Sequence, residues 1–153
     1  MTSGPSIEPG DPRDPAARAL LEASHAMMLA LFDPESNHFL GIDALCVPEI
    51  RFFVARLDGR IVGCGALAAR DGYGEVKSMF VDPGTRRAGV AAALMARLEA
   101  EARAQGLPWM KLETGNLLDA AHALYARCGF EPCGPFGDYP EHPQSVFMQK
   151  RLG

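Results

Sequence analysis

Several things are scarce in this chain, and each scarcity closes off a class of function. Basic residues are not in excess: 15 Lys and Arg stand against 19 Asp and Glu, a formal net charge of -4. A protein that follows a phosphate backbone needs a cationic face, so no nucleic-acid partner is expected. No stretch approaches the ~18 consecutive apolar residues of a membrane span, so no membrane partner is expected either. The first residues are rich in Pro, Gly and Asp and lack the cationic-then-apolar order of a secretory leader. Cysteine is sparse and unpaired in pattern: Cys46, Cys64, Cys128 and Cys133 include no Cys-x-x-Cys. His25, His38, His122 and His142 are scattered singly, and none stands beside them at metal-ligand spacing, so no metal is expected. Free thiols in a cytoplasmic, reducing setting follow. Cys64 lies within an apolar run and should be buried.

What remains is enough for one domain with a real core: 153 residues, 48% of them apolar. Residues 1–13 hold three prolines and two glycines and read as a flexible tail, leaving 14–153 as the domain. Asp14-Pro15 has the form of an N-cap followed by proline at the first helical position. Ala17, Leu20, Leu21, Ser24, Met28 and Leu31 then repeat at helical spacing, and the helix should stop before Asp33-Pro34. Residues 50–57 read as a strand, Asp58-Gly59 as a tight reversal, and 60–67 as the returning strand. Asp71-Gly72 marks another reversal, into a third strand over 73–81. A second helix runs from about Val90 to Gln105, with Val90, Leu94 and Leu98 on one face. A strand over 109–114 follows, then a helix opened by the capping pair Asn116 and Asp119 and stopped by Gly129. From Phe130 the chain should be looped until a last strand over 145–150. This order predicts an α/β (α+β) sandwich of one mixed sheet with helices packed on it.

The most informative segment joins the third strand to the second helix: Val81-Asp82-Pro83-Gly84-Thr85-Arg86-Arg87-Ala88-Gly89-Val90-Ala91. The first N–H groups of a helix have no internal partner, and the helix dipole adds partial positive charge there. Gly89 allows close backbone approach, and Arg86 and Arg87 add charge, so the segment suits a phosphate. An ordinary strand-to-helix turn with solvated arginines would look the same taken alone.

Arg86-x-x-Gly89-x-Ala91 resembles the acetyl-CoA signature of the GNAT superfamily of N-acetyltransferases, Gln/Arg-x-x-Gly-x-Gly/Ala. It is neither a Walker A loop nor Gly-x-Gly-x-x-Gly. Downstream, Leu124-Tyr125-Ala126-Arg127-Cys128-Gly129-Phe130 resembles the family's Leu-Tyr-x-x-x-Gly-Phe segment. The two come in the family's order, one helix and one strand apart, and with the meander cover roughly residues 50–150. The resemblance implies a mixed, mostly antiparallel central sheet flanked by helices on both faces. It implies acetyl-CoA as co-substrate, without a metal. CoA would pair its pantetheine amides with the backbone of Met79, Phe80 and Val81, and seat its pyrophosphate on the N–H groups of Arg87, Ala88, Gly89, Val90, Ala91 and Ala92, with Arg86 or Arg87 clamping phosphate. Two departures stand out. Leu118 occupies a position where the family commonly has Asn or Gln, and Arg87 and Ala91 stand where glycine is frequent.

The implied reaction moves an acetyl group from the thioester to a primary amine by direct attack. An alkylamine with a pKa near ~10.4 is mostly protonated at neutral pH, so its proton must be removed. The thioester carbonyl needs donors as charge develops on it. The resemblance makes Tyr125 the general acid at sulfur; by itself it would read as a half-buried core tyrosine. Two carboxylates are candidates for the base, Glu75 on the third strand and Glu113 on the next one. The resemblance implies that these two strands splay apart around the thioester. Strand alternation predicts that Glu75, Lys77, Met79 and Val81 share a face, and Lys77 could simply pair with Glu75 in solvent, worth under ~1 kcal/mol.

The acceptor is expected between residues 30–45 and 133–145, where Phe136, Asp138, Tyr139 and His142 could shape a pocket. A small-molecule amine or amino-acid-like metabolite is the favoured acceptor. Two other readings stay open: a catalytically silent acyl-CoA-binding module, and a protein acetyltransferase acting on N-termini or lysines. The family often pairs through its sheet or C-terminal strands, so a homodimer is compatible with the resemblance.

Overall fold

Tight reversals organise the sheet. In the computed structural model, which describes residues 4–85 and 89–153, Asp58 and Gly59 both adopt positive φ, 52° and 81°. That turn geometry matches the natural twist of a hairpin, and it folds β2 (Ile50–Leu57) back onto β3 (Arg60–Ala69). β3 continues through the Asp71-Gly72 turn into β4 (Gly74–Val81), completing the expected meander. A parallel neighbour requires a crossover, and α2 (Val90–Ala104) supplies it, delivering β5 (Trp109–Gly115) alongside β4. α3 (Asp119–Arg127) follows, and β7 (Ser145–Arg151) pairs antiparallel with β5.

Two short strands were not foreseen. The described part of the N-terminal tail is not loose: β1 (Ser6–Pro9) pairs antiparallel with β2, Ser6 opposite Arg56 and Pro9 opposite Phe53. Ile7 packs against the core and Glu8 pairs with Arg56, which offsets the ordering entropy of a Pro- and Gly-rich segment. The expected loop after Phe130 begins with β6 (Glu131–Cys133), which adds to β7. Among the described residues seven strands run in the order β1-β2-β3-β4-β5-β7-β6, every pairing antiparallel except β4 with β5.

Both faces of the sheet are covered. α1 (Pro15–Leu31) lays Ala17 and Leu21 against Phe52, Val54, Cys64, Ala66 and Ala68. α2 and α3 lay Val90, Leu94, Leu98 and Tyr125 against Phe53, Val62, Leu67, Met110 and Leu112 on the other face. A strand buried on both sides reads as a continuous apolar run, as β3 does from Val62 to Ala68.

The helix boundaries follow local chemistry. The Asp14 side chain accepts the Ala16 N–H with Pro15 at the first position, and Phe32 closes the helix before Asp33-Pro34. The Asn116–Asp119 capping pair does not form. Leu118 occupies the cap of α3 without a side-chain hydrogen bond, and the Asn116 N–H donates to the Gln144 carbonyl at 2.9 Å instead.

Candidate active site

β4 and β5 pair only at Gly74 with Met110 and Glu75 with Lys111. Beyond those two pairs the strands part, β4 running on to Val81 and β5 to Gly115. Among the described residues no strand fills the gap between them. The result is a wedge-shaped opening through the sheet, the splay that the family resemblance implies.

The residues at its sides are set by a bulge. Cys64 lies opposite Phe80 but Ala66 lies opposite Lys77, so β4 carries one extra residue there, and Ser78 sits at φ 57°. An extra residue reverses the facing of everything after it. Glu75 and Lys77 face the α1 side with Ala68 and Ala66, whereas Met79 and Val81 pack on the α2 side. The expectation that all four share a face is therefore corrected: simple alternation fails at Ser78. Phe80 is turned toward the α1 side.

The solvated Glu75–Lys77 pair is corrected as well. Glu75 is 3% exposed and Lys77 9%, their charged atoms 3.4 Å apart. Arg70 Nε donates to Glu75 Oε1 at 3.2 Å, and the Tyr139 hydroxyl donates to Glu75 Oε2. Lys77 Nζ donates to the Tyr139 oxygen at 2.7 Å and to the His38 carbonyl at 3.0 Å. A buried ion pair persists only when its remaining donors and acceptors are met, and here they are. This network joins residues 38, 70, 75, 77 and 139. Sequence reasoning named Tyr139 only as a pocket aromatic and missed its link to Glu75, because nothing local connects residues so far apart in the chain.

Glu113 lies on β5 facing the same side, half-buried, with Lys77 and Glu75 across the opening. Burial pushes its carboxyl above the ordinary range, opposed chiefly by the neighbouring Ser145 hydroxyl and by Lys77. Tyr125 stands on the opposite, α2/α3 side, 7% exposed and packed against Phe130. Burial raises its phenol to about 12, with Cys128 adding to the effect. Tyr125 thus belongs to the α2/α3 face of the sheet, and Glu75 and Glu113 to the α1 face.

At the wide end, Gly89 precedes α2 at φ 76° with nothing near its missing Cβ, a left-handed conformation that favours glycine. α2 has no side-chain cap, so its first N–H groups are not taken up by one. Val90 is buried, while Ala91 and Ala92 are partly to fully exposed. The sequence assignments to Arg86, Arg87 and Ala88 lie outside the described residues.

On the α1 side, Phe136, Tyr139 and Phe147 pack edge-on, joined by Tyr73 and His38. Beside them an open groove of about 570 Å³ is lined by Cys133, Glu141, His142, Ser145, Val146 and Phe147. Asp138 points to the exterior. Among the described residues His38 Nε2 is buried without a hydrogen-bond partner, unusual for a buried polar atom. Cys64 is fully buried, and burial pushes its thiol to about 12. His122 is structural: its Nε2 lies 2.8 Å from the Gly115 carbonyl.

Comparison with known proteins agrees with this architecture. The model of the acetyltransferase (GNAT) family matches residues 17–130. The chain is 46% identical over 143 residues to an IAA acetyltransferase of Azospirillum brasilense, covering 92% of this chain and 94% of that protein. It is 42% identical to the uncharacterized N-acetyltransferase YsnE of Bacillus subtilis, covering 86% and 88%. Among solved structures, a Klebsiella pneumoniae protein classed with the acyl-CoA N-acyltransferases superposes with a TM-score of 0.84 at 33% identity, over 97% and 98% of the two chains. A GNAT acetyltransferase of Elizabethkingia anophelis with acetyl-CoA bound shares the fold, with a TM-score of 0.69 at 16% identity over 98% and 99%. Among the described residues no helix is long and apolar enough to cross a membrane. With the family model spanning most of the domain and close relatives aligning nearly end to end, the chain is an acyltransferase of the GNAT acetyltransferase family.

Proposed function

We propose that this acetyltransferase moves the acetyl group of acetyl-CoA onto a primary amine of a small molecule or amino-acid-like metabolite, by direct attack with donor and acceptor bound together. The parting of β4 and β5 after Glu75 carries the reading. It leaves strand edges free to pair with the pantetheine amides at Met79–Val81. It also opens the sheet, so that one thioester can be reached from both faces.

The α2 N-terminus supplies unpaired N–H groups and dipole for the pyrophosphate, and Gly89 keeps the approach open. The amine arrives from the α1 side, where the groove offers Glu141, His142 and Ser145 as polar contacts and His38 Nε2 lies buried without a partner among the described residues. A carboxylate there takes one proton from the ammonium, Glu113 and Glu75 being the two within the site. Nitrogen attacks the carbonyl carbon, the C–S bond breaks with its electron pair leaving on sulfur, and the second proton lost from nitrogen passes through solvent to the thiolate, giving the amide and the CoA thiol. Tyr125 stands on the sulfur side. A thiol of ordinary pKa, about 8.5, is a stronger acid than a phenol near 12. Tyr125 therefore stabilises the thiolate mainly by donating a hydrogen bond, and keeps its proton at equilibrium.

Two features support a small acceptor over a protein. The α1 face is walled by the aromatic cluster, and the groove is the size of a small ligand. We place the enzyme in the cytoplasm on the strength of its free cysteines.

The test follows free thiol released from acetyl-CoA in the presence of a panel of amines and amino acids. Turnover that saturates with one class of small amine supports the reading. Tight CoA binding without turnover on any of them would favour the acyl-CoA-binding module instead.

A further inference from the structure

We infer that Glu75, Lys77 and Tyr139 form a clasp that fixes the two walls of the acceptor site, and that Glu113 is the carboxylate that takes the amine's proton. The inference rests on the acetyl-transfer reading above and assigns roles within it.

The clasp is visible in where its partners come from. Lys77 rises from the middle of β4, just before the Ser78 bulge. It donates to the His38 carbonyl, in the segment that follows α1, and to the Tyr139 hydroxyl, in the loop between β6 and β7. Those two segments wall the acceptor face. They are also joined to each other on their outer side, where Gln144 Oε1 accepts from the Asp33 N–H at 2.9 Å and from the Ser36 hydroxyl at 2.8 Å. One buried lysine therefore holds both walls to the strand that borders the thioester gap, and Glu75 balances its charge.

That duty is incompatible with proton transfer at Glu75. Its two oxygens already accept from Arg70 and Tyr139 and pair with the Lys77 ammonium 3.4 Å away, and it is 3% exposed. A proton arriving there would leave a buried lysine without its counter-ion and displace the Tyr139 hydroxyl. Glu113 is free of such duty. Among the described residues no cation lies within ion-pair distance of it. The groups facing it are Lys77 and Glu75 on β4, Tyr139 on the loop, and the Ser145 hydroxyl on β7. Burial pushes its carboxyl up, which makes the carboxylate a stronger base.

The experiment uses the full chain and three variants, Glu113→Gln, Glu75→Gln and Tyr139→Phe, with the best amine from the panel. For Glu113→Gln, kcat should fall about 100-fold, CoA affinity should be unchanged by calorimetry, and the acid limb of the kcat/KM–pH profile should vanish. For Tyr139→Phe and Glu75→Gln, the amine KM should rise about tenfold at nearly constant kcat, as lost positioning predicts, with the acid limb retained. Amide hydrogen exchange over 34–40 and 136–143 should quicken in both. An acid limb that survives in Glu113→Gln but disappears in Glu75→Gln overturns the assignment. Unchanged KM and unchanged exchange in Tyr139→Phe overturn the clasp; that variant also decides the matter should Glu75→Gln not fold. A wild-type chain that binds CoA yet acetylates nothing refutes the acetyl-transfer reading and the role of Glu113 with it, while exchange in Tyr139→Phe still decides the clasp.

Discussion

Gly115 closes β5 at the rim of the active site, and a methyl group there has nowhere to go. A Cβ built on it would lie 2.1 Å from Phe32 Cζ and 2.6 and 2.7 Å from two further ring atoms. The backbone of Gly115 does not have positive φ, so the obstacle is the ring alone. Phe32 is 6% exposed and caps α1, its N–H donating to the Met28 carbonyl. The ring can escape only by repacking. Gly115→Ala should therefore destabilise the fold by about 1–3 kcal/mol, the usual range for overpacking. For a chain of this size each kcal/mol lowers Tm by about 2–4 °C. Because Phe32 leads directly into the 33–40 wall, the amine KM should rise with little change in CoA affinity. Urea unfolding of Gly115→Ala, Phe32→Leu and the double variant forms a cycle that isolates the clash. The double variant should be more stable than the sum of the single losses predicts, by at least 1 kcal/mol on the same overpacking scale. Simple additivity, or a Gly115→Ala protein as stable as the parent, would refute the reasoning.

Three further predictions follow from separate parts of the molecule. Tyr125→Phe should lower kcat about 10- to 100-fold, the worth of one hydrogen bond to a developing charge, with CoA affinity by calorimetry unchanged. Cys64, with its thiol raised to about 12 by burial, should resist iodoacetamide in the native protein at pH 8 and react only on unfolding; mass spectrometry of the labelled peptides checks this. His25 stacks on Phe39 at 4.2 Å, and burial lowers its pKa below the ordinary 6.5. The unfolded chain then binds the proton more readily, so this contribution is complete above about pH 6.5 and is lost as pH falls through the native value. His25→Phe should lose less stability than the parent between pH 6.5 and 5, measured by urea unfolding.

What could be read from the sequence was what local chemistry decides. Asp14-Pro15, Asp58-Gly59 and Gly129 are punctuation with short-range causes, and the elements they delimit are where the spacing put them. The meander and the parting of β4 from β5 followed from element order together with the two family motifs. What escaped was decided by partners far along the chain. β1 exists because Ile7 and Glu8 find β2 some fifty residues later. Asn116 abandons the cap because Gln144 offers its N–H a carbonyl. The Ser78 bulge, invisible in a pattern of alternation, decides that Glu75 and Lys77 face away from Met79 and Val81. The burial of Glu75 could not be inferred either, since its partner Tyr139 lies 64 positions away.

The two outermost strands share a property with consequences for solubility. β1 ends in Pro9 and β6 is centred on Pro132, and each also carries a glutamate, Glu8 and Glu131. A proline has no N–H to lend to a further ladder, and a carboxylate at a rim repels its own image. Both margins of the seven-stranded sheet are thereby blunted against endless stacking of copies. Any pairing of this enzyme with itself would have to use side-chain surfaces in preference to extending the sheet.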